Sequence, residues 1–317
     1  MKIFSFLLPF WYPLLEIKDL HFLPKKGILF SDPYVISNNK ENNYIIHTDI
    51  CPHQGASLSE GWITDDKCLS CPYHGFQFYN GTFCKIPQSE KDQKLFQSRI
   101  KMDVYPSYKG KDFLFVSNKE DIPLPFYPEE EYNSSFRGVQ GSIIIDKNYL
   151  IVCENLLDML HISYVHSFGS RNTPLPSSID FKKINDYHGQ STFVYSPNPD
   201  TISGKIGKVS QVRVQNEFIL PTNTITRVHA GETIKTVFTR SIPLSENKTL
   251  LYWKLYRNFW IHPFFDHFIR YLMEKTIQED ISILNNVYSS FRNGTIKTKY
   301  DTTILEFRKA YQSFLKK

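Results

Sequence analysis

The chain has 317 residues, a formal net charge of +5 and 41% hydrophobic residues. That is long enough for two domains with real cores, and too mildly basic to argue for a nucleic-acid partner. No run of 18 apolar residues occurs, so no membrane-spanning helix is expected, while the 15% aromatic content favours a bulky core and a pocket for a flat or greasy ligand.

The apolar start, Met1–Phe10, is interrupted by Pro9 and followed by Pro13, with no small-residue cleavage site or twin arginine. A cleaved signal is therefore not expected, and a soluble intracellular chain is. The first ~125 residues read as short strands at Gly27–Phe30, Tyr34–Ile36, Tyr44–His47, Phe76–Tyr79, Lys101–Tyr105 and Phe113–Val116, separated by turn signals such as Asn80-Gly81. The proline-rich, acidic stretch Ile122–Glu131 is the linker candidate, which divides the chain into residues 1–125 and 126–317. Beyond it, helices are expected at Glu154–Tyr164, Pro263–Tyr288 and Thr303–Leu315. Strands are expected at Val209–Leu220, Thr222–Val228, Thr233–Arg240 and Thr249–Tyr256. The Pro-, Ser-, Asn- and Gly-rich segment Arg171–Ser203 reads as loop, and the aromatic stretch Phe259–Tyr271 as a core helix rather than a lipid contact.

Four of the five cysteines (Cys51, Cys68, Cys71, Cys84 and Cys153) cluster between 51 and 84, interleaved with histidine. In a chain of this size that pattern points to a metal rather than to disulfides. Cys51-Pro52-His53 and Cys71-Pro72-Tyr73-His74 each supply one thiolate and one imidazole, with residues 54–70 between them. A [2Fe–2S] cluster held by two cysteines on one iron and two histidines on the other needs this set. Gly55 and Gly75 follow the two histidines, where a Cβ would crowd bridging sulfide. A Cys₂His₂ zinc site is the competing reading, because zinc accepts the same donors on one ion. Cys68 is expected to be a buried spectator thiol.

The segments Cys51–Gly61 and Cys71–Phe78 resemble the Rieske segment of Rieske-type non-haem iron oxygenases. That resemblance implies that His53 and His74 hold one iron and Cys51 and Cys71 the other. Ala56 and Tyr73 stand where respiratory Rieske proteins carry an additional cysteine pair, which disfavours that type.

A free-standing Rieske ferredoxin would end near residue 115, so the electron is expected to have a destination further along. Asp158 and His161 are i,i+3 and would share one helical face. His161 and His166 are i,i+5, about 140° apart in a regular helix, so a common metal demands a helix end or a π-bulge between them. A third, acidic ligand is sought around residue 277. Asp280 and Glu274 border the apolar stripe Ile277, Ile281, Leu284, Tyr288 on opposite sides, and the residues alone do not choose between them; Glu279 lies about 160° away from Ile277. Two histidines and one carboxylate are the facial triad of non-haem Fe(II) oxygenases.

By the same resemblance, Asn155-x-x-Asp158-x-x-His161-x4-His166 matches the family's iron motif. His161, His166 and Asp280 would then bind Fe(II). Asp158 would bridge His161 to a cluster histidine of a neighbouring subunit, and Asn155 would border the iron. Trp11-Tyr12-Pro13 and Gly81–Gln88 look most like the pheophorbide a and chlorophyllide a oxygenase branch, and the Asp158–His166 segment as much like vanillate demethylases.

The expected fold is α+β: an all-β Rieske domain, then a helix-grip catalytic domain with a curved antiparallel sheet. The expected function is monooxygenation of an organic, chlorin-like or aromatic substrate with O₂. A ferredoxin or flavin reductase would supply the electrons, NAD(P)H entering only through it, and the assembly would be a homotrimer. An electron-transfer protein with a non-catalytic second domain is the alternative.

Overall fold

The computed structural model describes residues 9–86, 100–167, 175–196, 211–288, 294 and 296–315. The chain divides into two compact units, Met1–Pro125 and Phe126–Lys317.

The first unit is built from short antiparallel strands. β1 (Tyr12–Glu16), β10 (Phe113–Val116) and β9 (Ser107–Lys109) form one sheet in that order. β2 (Lys25–Leu29), β3 (Asp32–Asn38) and β4 (Tyr44–Thr48) form a second, and β5 (Trp62–Ile63), β6 (Leu69–Ser70), β7 (Gln77–Tyr79) and β8 (Thr82–Lys85) a third. Two hairpins turn on two residues of positive φ: Phe30 and Ser31 between β2 and β3, and Asn80 and Gly81 between β7 and β8. Such turns match the right-handed twist of the strands. Gly81 has a second reason to lack a side chain, since a Cβ there would lie 2.5 Å from the Met102 carbonyl. Five of the six expected strands are present. Lys101–Tyr105 is not a strand: it makes only isolated bridges, Lys101 to Thr82 and Tyr105 to Ile46.

The second unit is a seven-stranded antiparallel sheet with helices. Its strands are β11 (Arg137–Ile145), β12 (Ser178–Asn185), β13 (His188–Tyr195), β14 (Val212–Ile219), β15 (Asn223–Ala230), β16 (Thr233–Ser245) and β17 (Lys248–Arg257), in the order β11-β17-β16-β15-β14-β13-β12. Helices α1 (Tyr149–Leu157) and α3 (Asp266–Asn285) lay Ile151, Val152, Ile269, Met273, Ile277 and Leu284 against Val139, Leu251, Trp253 and Leu255 of the sheet. Helix α4 (Thr302–Leu315) carries Phe307 against Phe218, ring centroids 5.7 Å apart. It is tied to α1 by Arg308, which donates to Glu154 at 2.8 and 2.7 Å.

Three expectations are corrected here. The segment read as loop, Arg171–Ser203, contains β12 and β13, because alternating burial along His188–Tyr195 outweighs its turn-rich composition; residues 171–174 and 197–203, like 209–210, lie outside the described residues. The helix expected over Glu154–Tyr164 starts earlier, at Tyr149, and stops at Leu157, and a separate turn, α2 (Ile162–Val165), follows. Phe259–Tyr271 is no core helix: α3 begins only at Asp266, and Trp260, Ile261, Phe264, Phe268 and Tyr271 are all exposed, Phe264 to 78%.

Candidate metal centres

In the first unit, the two Cys–His loops have the same backbone. The amide of Cys51 donates to Ala56 and that of Gly55 returns to Cys51, both at 2.8 Å; Cys71 donates to Phe76 at 2.8 Å and Gly75 to Cys71 at 3.0 Å. Gly55 and Gly75 take positive φ, 76° and 70°. At Gly55 a Cβ would meet no protein atom within 4 Å, so the glycine serves the left-handed turn.

The loops are polarised. Cys51 and Cys71 are buried in an apolar cluster with Leu58, Leu69, Phe78 and Phe83, whereas His53 is exposed and His74 half-buried. The two thiols contact each other, and the two imidazoles stand 4.8 Å apart between centroids. His53 stacks on Phe76 at 4.4 Å and His74 on Tyr73 at 3.8 Å, which fixes both rings. Burial, and secondarily the Cys71 thiol, push the Cys51 thiol up to about 11 against the hydrogen bonds from the His53 and Gln54 amides, so taking up a metal there releases a proton. Asp49 is buried and accepts from the Ser59 amide at 2.7 Å and its hydroxyl at 2.6 Å, bracing the chain beyond the first loop.

In the second unit, α1 is capped at its start by Asn148, whose side chain accepts from the Leu150 amide at 2.9 Å. At its end Asn216 of β14 donates to the Leu156 carbonyl at 3.2 Å, one of the orphan acceptors of a helix terminus. The chain turns extended at Asp158, whose carboxylate accepts from the Leu160 amide at 2.9 Å. His161 and His166 then flank the single turn α2 as its two caps, and their rings lie 5.1 Å apart. Of the two devices that could bring an i,i+5 pair together, the structure uses the helix end. Asp158 and His161 accordingly do not share a helical face, because the helix stops between them.

The acidic partner is Asp280. Ile269, Met273, Ile277, Asp280 and Leu284 are the buried residues of α3, so Asp280 occupies a core position of its helix. Glu274 is exposed. Asp280 Oδ1 is 3.1 Å from His161 Nε2 and 3.6 Å from His166 Nε2. Among the described residues, His161, His166 and Asp280 are the group of three whose donor atoms all lie within 4.8 Å of one another. Asp280 Oδ1 and His161 Nδ1 are buried yet make no well-formed hydrogen bond. A buried carboxylate in that condition calls for a cation, and two imidazole nitrogens with one carboxylate oxygen are a suitable donor set for iron.

Around this group, Glu279 accepts from His166 Nδ1 at 3.1 Å and from the Ser167 amide at 3.3 Å, leaving His166 Nε2 toward Asp280. Burial raises the Glu279 carboxyl, but the His166 and Ser167 hydrogen bonds overcome it and hold it below the usual range. Burial also lowers His166, Asp280 opposing. For His161 burial is again the largest effect and lowers it, but Asp280, with Asp158, outweighs it and the net shift is upward.

Glu279 points away from the apolar stripe of α3 and so escapes a pattern that looks for inward-facing ligands. The adjacent acids Glu279-Asp280 are what signals it: about 100° apart on the helix, they reach opposite nitrogens of one imidazole. Asp158 Oδ2 is 3.9 Å from His161 Nδ1, beyond hydrogen-bond length. Asn155 enters through its carbonyl, which accepts from the Asp158 amide at 3.2 Å. Met159 and Ile162, on either side of His161 in the chain, join Phe193, Val214, Ile179 and Tyr195 in an apolar cluster.

Residues 10–108 match the model of the Rieske [2Fe-2S] domain, and residues 145–317, more than half of the chain, match that of the vanillate O-demethylase oxygenase C-terminal domain. The chain belongs to the Rieske-type oxygenases. Members of this family carry a [2Fe–2S] cluster and a mononuclear Fe(II).

Curated relatives include flavonoid 8-hydroxylase 2 of Ocimum basilicum, 33% identical over 170 residues (49% of this chain, 33% of the relative). Chlorophyllide a oxygenase of Arabidopsis thaliana is 22% identical over 324 residues (94% and 56%), and pheophorbide a oxygenase of Oryza sativa subsp. japonica is 27% identical over 206 residues (57% and 38%). The alignments thus span between a third and just over half of these relatives' own lengths. Among solved structures, NdmA of Pseudomonas putida CBB5 with caffeine superposes with a TM-score of 0.78 at 18% identity, covering 97% of this chain and 94% of the other. Apo dicamba monooxygenase gives a TM-score of 0.76 at 15% identity, covering 98% of both. Both share the α+β fold. No helix among the described residues is long and apolar enough to cross a membrane.

Proposed function

We propose that this chain is the terminal oxygenase component of a Rieske-type system, that residues 1–125 form its cluster domain and residues 126–317 its catalytic domain, and that it monooxygenates an apolar organic substrate with O₂. The observation that carries the reading is the meeting of His161 and His166, from the two ends of one helical turn, with the buried Asp280 of α3.

In this reading Cys51 and Cys71 hold one iron of the cluster and His53 and His74 the other. The pairing of thiol with thiol and ring with ring supports this over a single zinc ion. Among the described residues, no three of these four bring donor atoms within 4.8 Å of each other, as a tetrahedral ion would require. His161, His166 and Asp280 hold the mononuclear iron. When bound, these groups supply one-electron relay and dioxygen activation, chemistry that side chains alone do not provide.

The chain's own residues do the rest. Glu279 keeps the His166 proton on Nδ1 and so presents Nε2 to the metal. Asp280 brings the negative charge that a divalent ion needs. Met159 and Ile162 anchor the segment around His161 in an apolar cluster with Phe193 and Tyr195. A chlorin-like or aromatic substrate is consistent with the relatives' names. An external ferredoxin or flavin reductase supplies electrons from NAD(P)H, and the functional assembly is a homotrimer in which Asp158 serves the passage between subunits.

Turnover of chlorins, flavonoids and methoxyarenes with a reductase, NAD(P)H and ¹⁸O₂ tests the reading. One labelled oxygen in the product, lost in His161→Ala, is the expected result. Reduction of the cluster without substrate oxidation under every pairing would leave an electron-transfer protein.

A further inference from the structure

Cys68 and Cys84 are absorbed by neither metal centre. The Cys68 Sγ lies 3.0 Å from the Cys84 Sγ, inside ordinary sulfur–sulfur contact. The two residues come from strands that are not neighbours: Cys68 directly precedes β6, Cys84 lies in β8, and β7 runs between. The ladder explains the approach. Gln77 pairs with Lys85 and Phe78 with Phe83, so the register skips Cys84, which is the extra residue of a β-bulge. A bulge bends its strand, increases local twist and re-aims a side chain. Cys68 is held from the other side: its amide donates to the Thr64 hydroxyl at 3.1 Å and its carbonyl accepts from the Thr64 amide at 2.9 Å. Cys68 is buried and Cys84 half-buried, so Cys84 is the more accessible residue of the pair.

We propose that Cys68 and Cys84 are a dithiol modification site, which a small disulfide such as oxidised glutathione converts to an internal Cys68–Cys84 disulfide. The Cys84 sulfur attacks the glutathione disulfide, loses its proton and releases one glutathione thiol. The Cys68 sulfur then attacks the mixed disulfide at Cys84, loses its proton and releases the second. The cysteines give up two electrons, the glutathione disulfide takes them, and one sulfur–sulfur bond replaces another. Closing the bond requires the sulfurs to approach by about 1 Å, to the usual length of ~2.05 Å. Burial, then Cys68, push the Cys84 thiol up to about 12, so exchange is slow at neutral pH and quickens as pH rises.

The ring so closed contains Cys71 and His74. On the proposed cluster assignment, the modification staples the second cluster loop at its base, between β6 and β8. The disulfide itself does not depend on that assignment.

Tryptic cleavage after Lys67 and Lys85 isolates residues 68–85, a peptide with three cysteines, Cys68, Cys71 and Cys84. Holoprotein is incubated with oxidised glutathione or with dithiothreitol, denatured in N-ethylmaleimide, reduced, and labelled with iodoacetamide. The proposal expects three maleimide labels after dithiothreitol. After glutathione disulfide it expects loss of two of them, with iodoacetamide on Cys68 and Cys84 and maleimide on Cys71 alone. In Cys84→Ser, Cys68 should keep its maleimide, and in Cys68→Ser, Cys84 should carry a glutathione that persists. Three maleimides after prolonged glutathione disulfide, a stable glutathione adduct on Cys84 of the wild-type protein, or iodoacetamide on Cys71 with maleimide still on Cys68 or Cys84 would each overturn it. Without a cluster the touching Cys51 and Cys71 thiols are also open to oxidation, so the label on Cys71 reports the cluster assignment, while joint iodoacetamide on Cys68 and Cys84 reports the disulfide.

Discussion

On the proposed assignment of iron to His161, His166 and Asp280, the contact between Glu279 and His166 sets how strongly the metal is held. The Glu279 carboxylate accepts from His166 Nδ1 at 3.1 Å and from the Ser167 amide at 3.3 Å, and it is only 21% exposed. Glu279→Leu removes both hydrogen bonds. The imidazole then loses its fixed tautomer, and the Nε2 lone pair is no longer held toward Asp280. A hydrogen-bonded partner behind a metal-binding histidine typically carries ~10–100-fold in metal affinity, which is about 1.4–2.8 kcal/mol. Glu279→Gln keeps an acceptor but not its charge, so it should lie nearer the wild type, because charge-assisted hydrogen bonds are about twice as strong as neutral ones. The assay is Fe(II) competition against a calibrated chelator under anaerobic conditions, with the visible spectrum of the cluster as an internal control. Glu279→Leu with wild-type affinity, alongside an Asp280→Asn variant that binds poorly, would show that Glu279 does not orient His166 for the metal.

Two further predictions concern the frame. Asp266 accepts from Arg137 at 2.9, 3.0 and 2.6 Å and from the buried Arg257 at 2.6 Å, and Arg137, then Arg257, hold its carboxyl at about 2. A depressed carboxyl contributes fully above the unfolded value of about 3.9, and the contribution is lost as pH falls through the folded value. Asp266→Asn should therefore cost ~1–3 kcal/mol at neutral pH, a deficit that shrinks toward pH 2; urea midpoints from pH 6 down to 2 would contradict this by showing a constant offset. Gly61 sits where an added Cβ would lie 1.9 Å from the Ser70 carbonyl, one residue before Cys71. Gly61→Ala should force β6 aside at a cost of ~1–3 kcal/mol and lower the cluster absorbance per chain, and full wild-type cluster content would show the backbone to be more accommodating than this.

Much of the site was legible because metal ligation demands particular residue types at particular spacings. The symmetric Cys–His loops carried their geometry openly, and the i,i+5 spacing of the histidines required an interruption of the helix that the structure provides. Asp280 was harder, because its helix angle alone left Glu274 in contention. Burial favours Asp280, since it lies on the packed face of α3 and Glu274 in solvent. Glu279 was invisible to a rule that looks only for inward-facing residues, as its partner rises beside the helix rather than beneath it. In the fold, β12 and β13 were missed because their polar, turn-forming composition hides strands that pairing across the sheet stabilises. The aromatic stretch at Phe259–Tyr271 misled in the opposite direction, since aromatic content does not by itself place a residue inside.

Metal counting on anaerobically reconstituted protein decides whether one chain holds two distinct iron centres. Two such centres require one iron more than the two of the sulfide-bearing cluster. The triple variant His161→Ala, His166→Ala, Asp280→Ala should lose that additional iron while the Rieske electron paramagnetic resonance signal remains. An iron content that the triple variant leaves unchanged would contradict it.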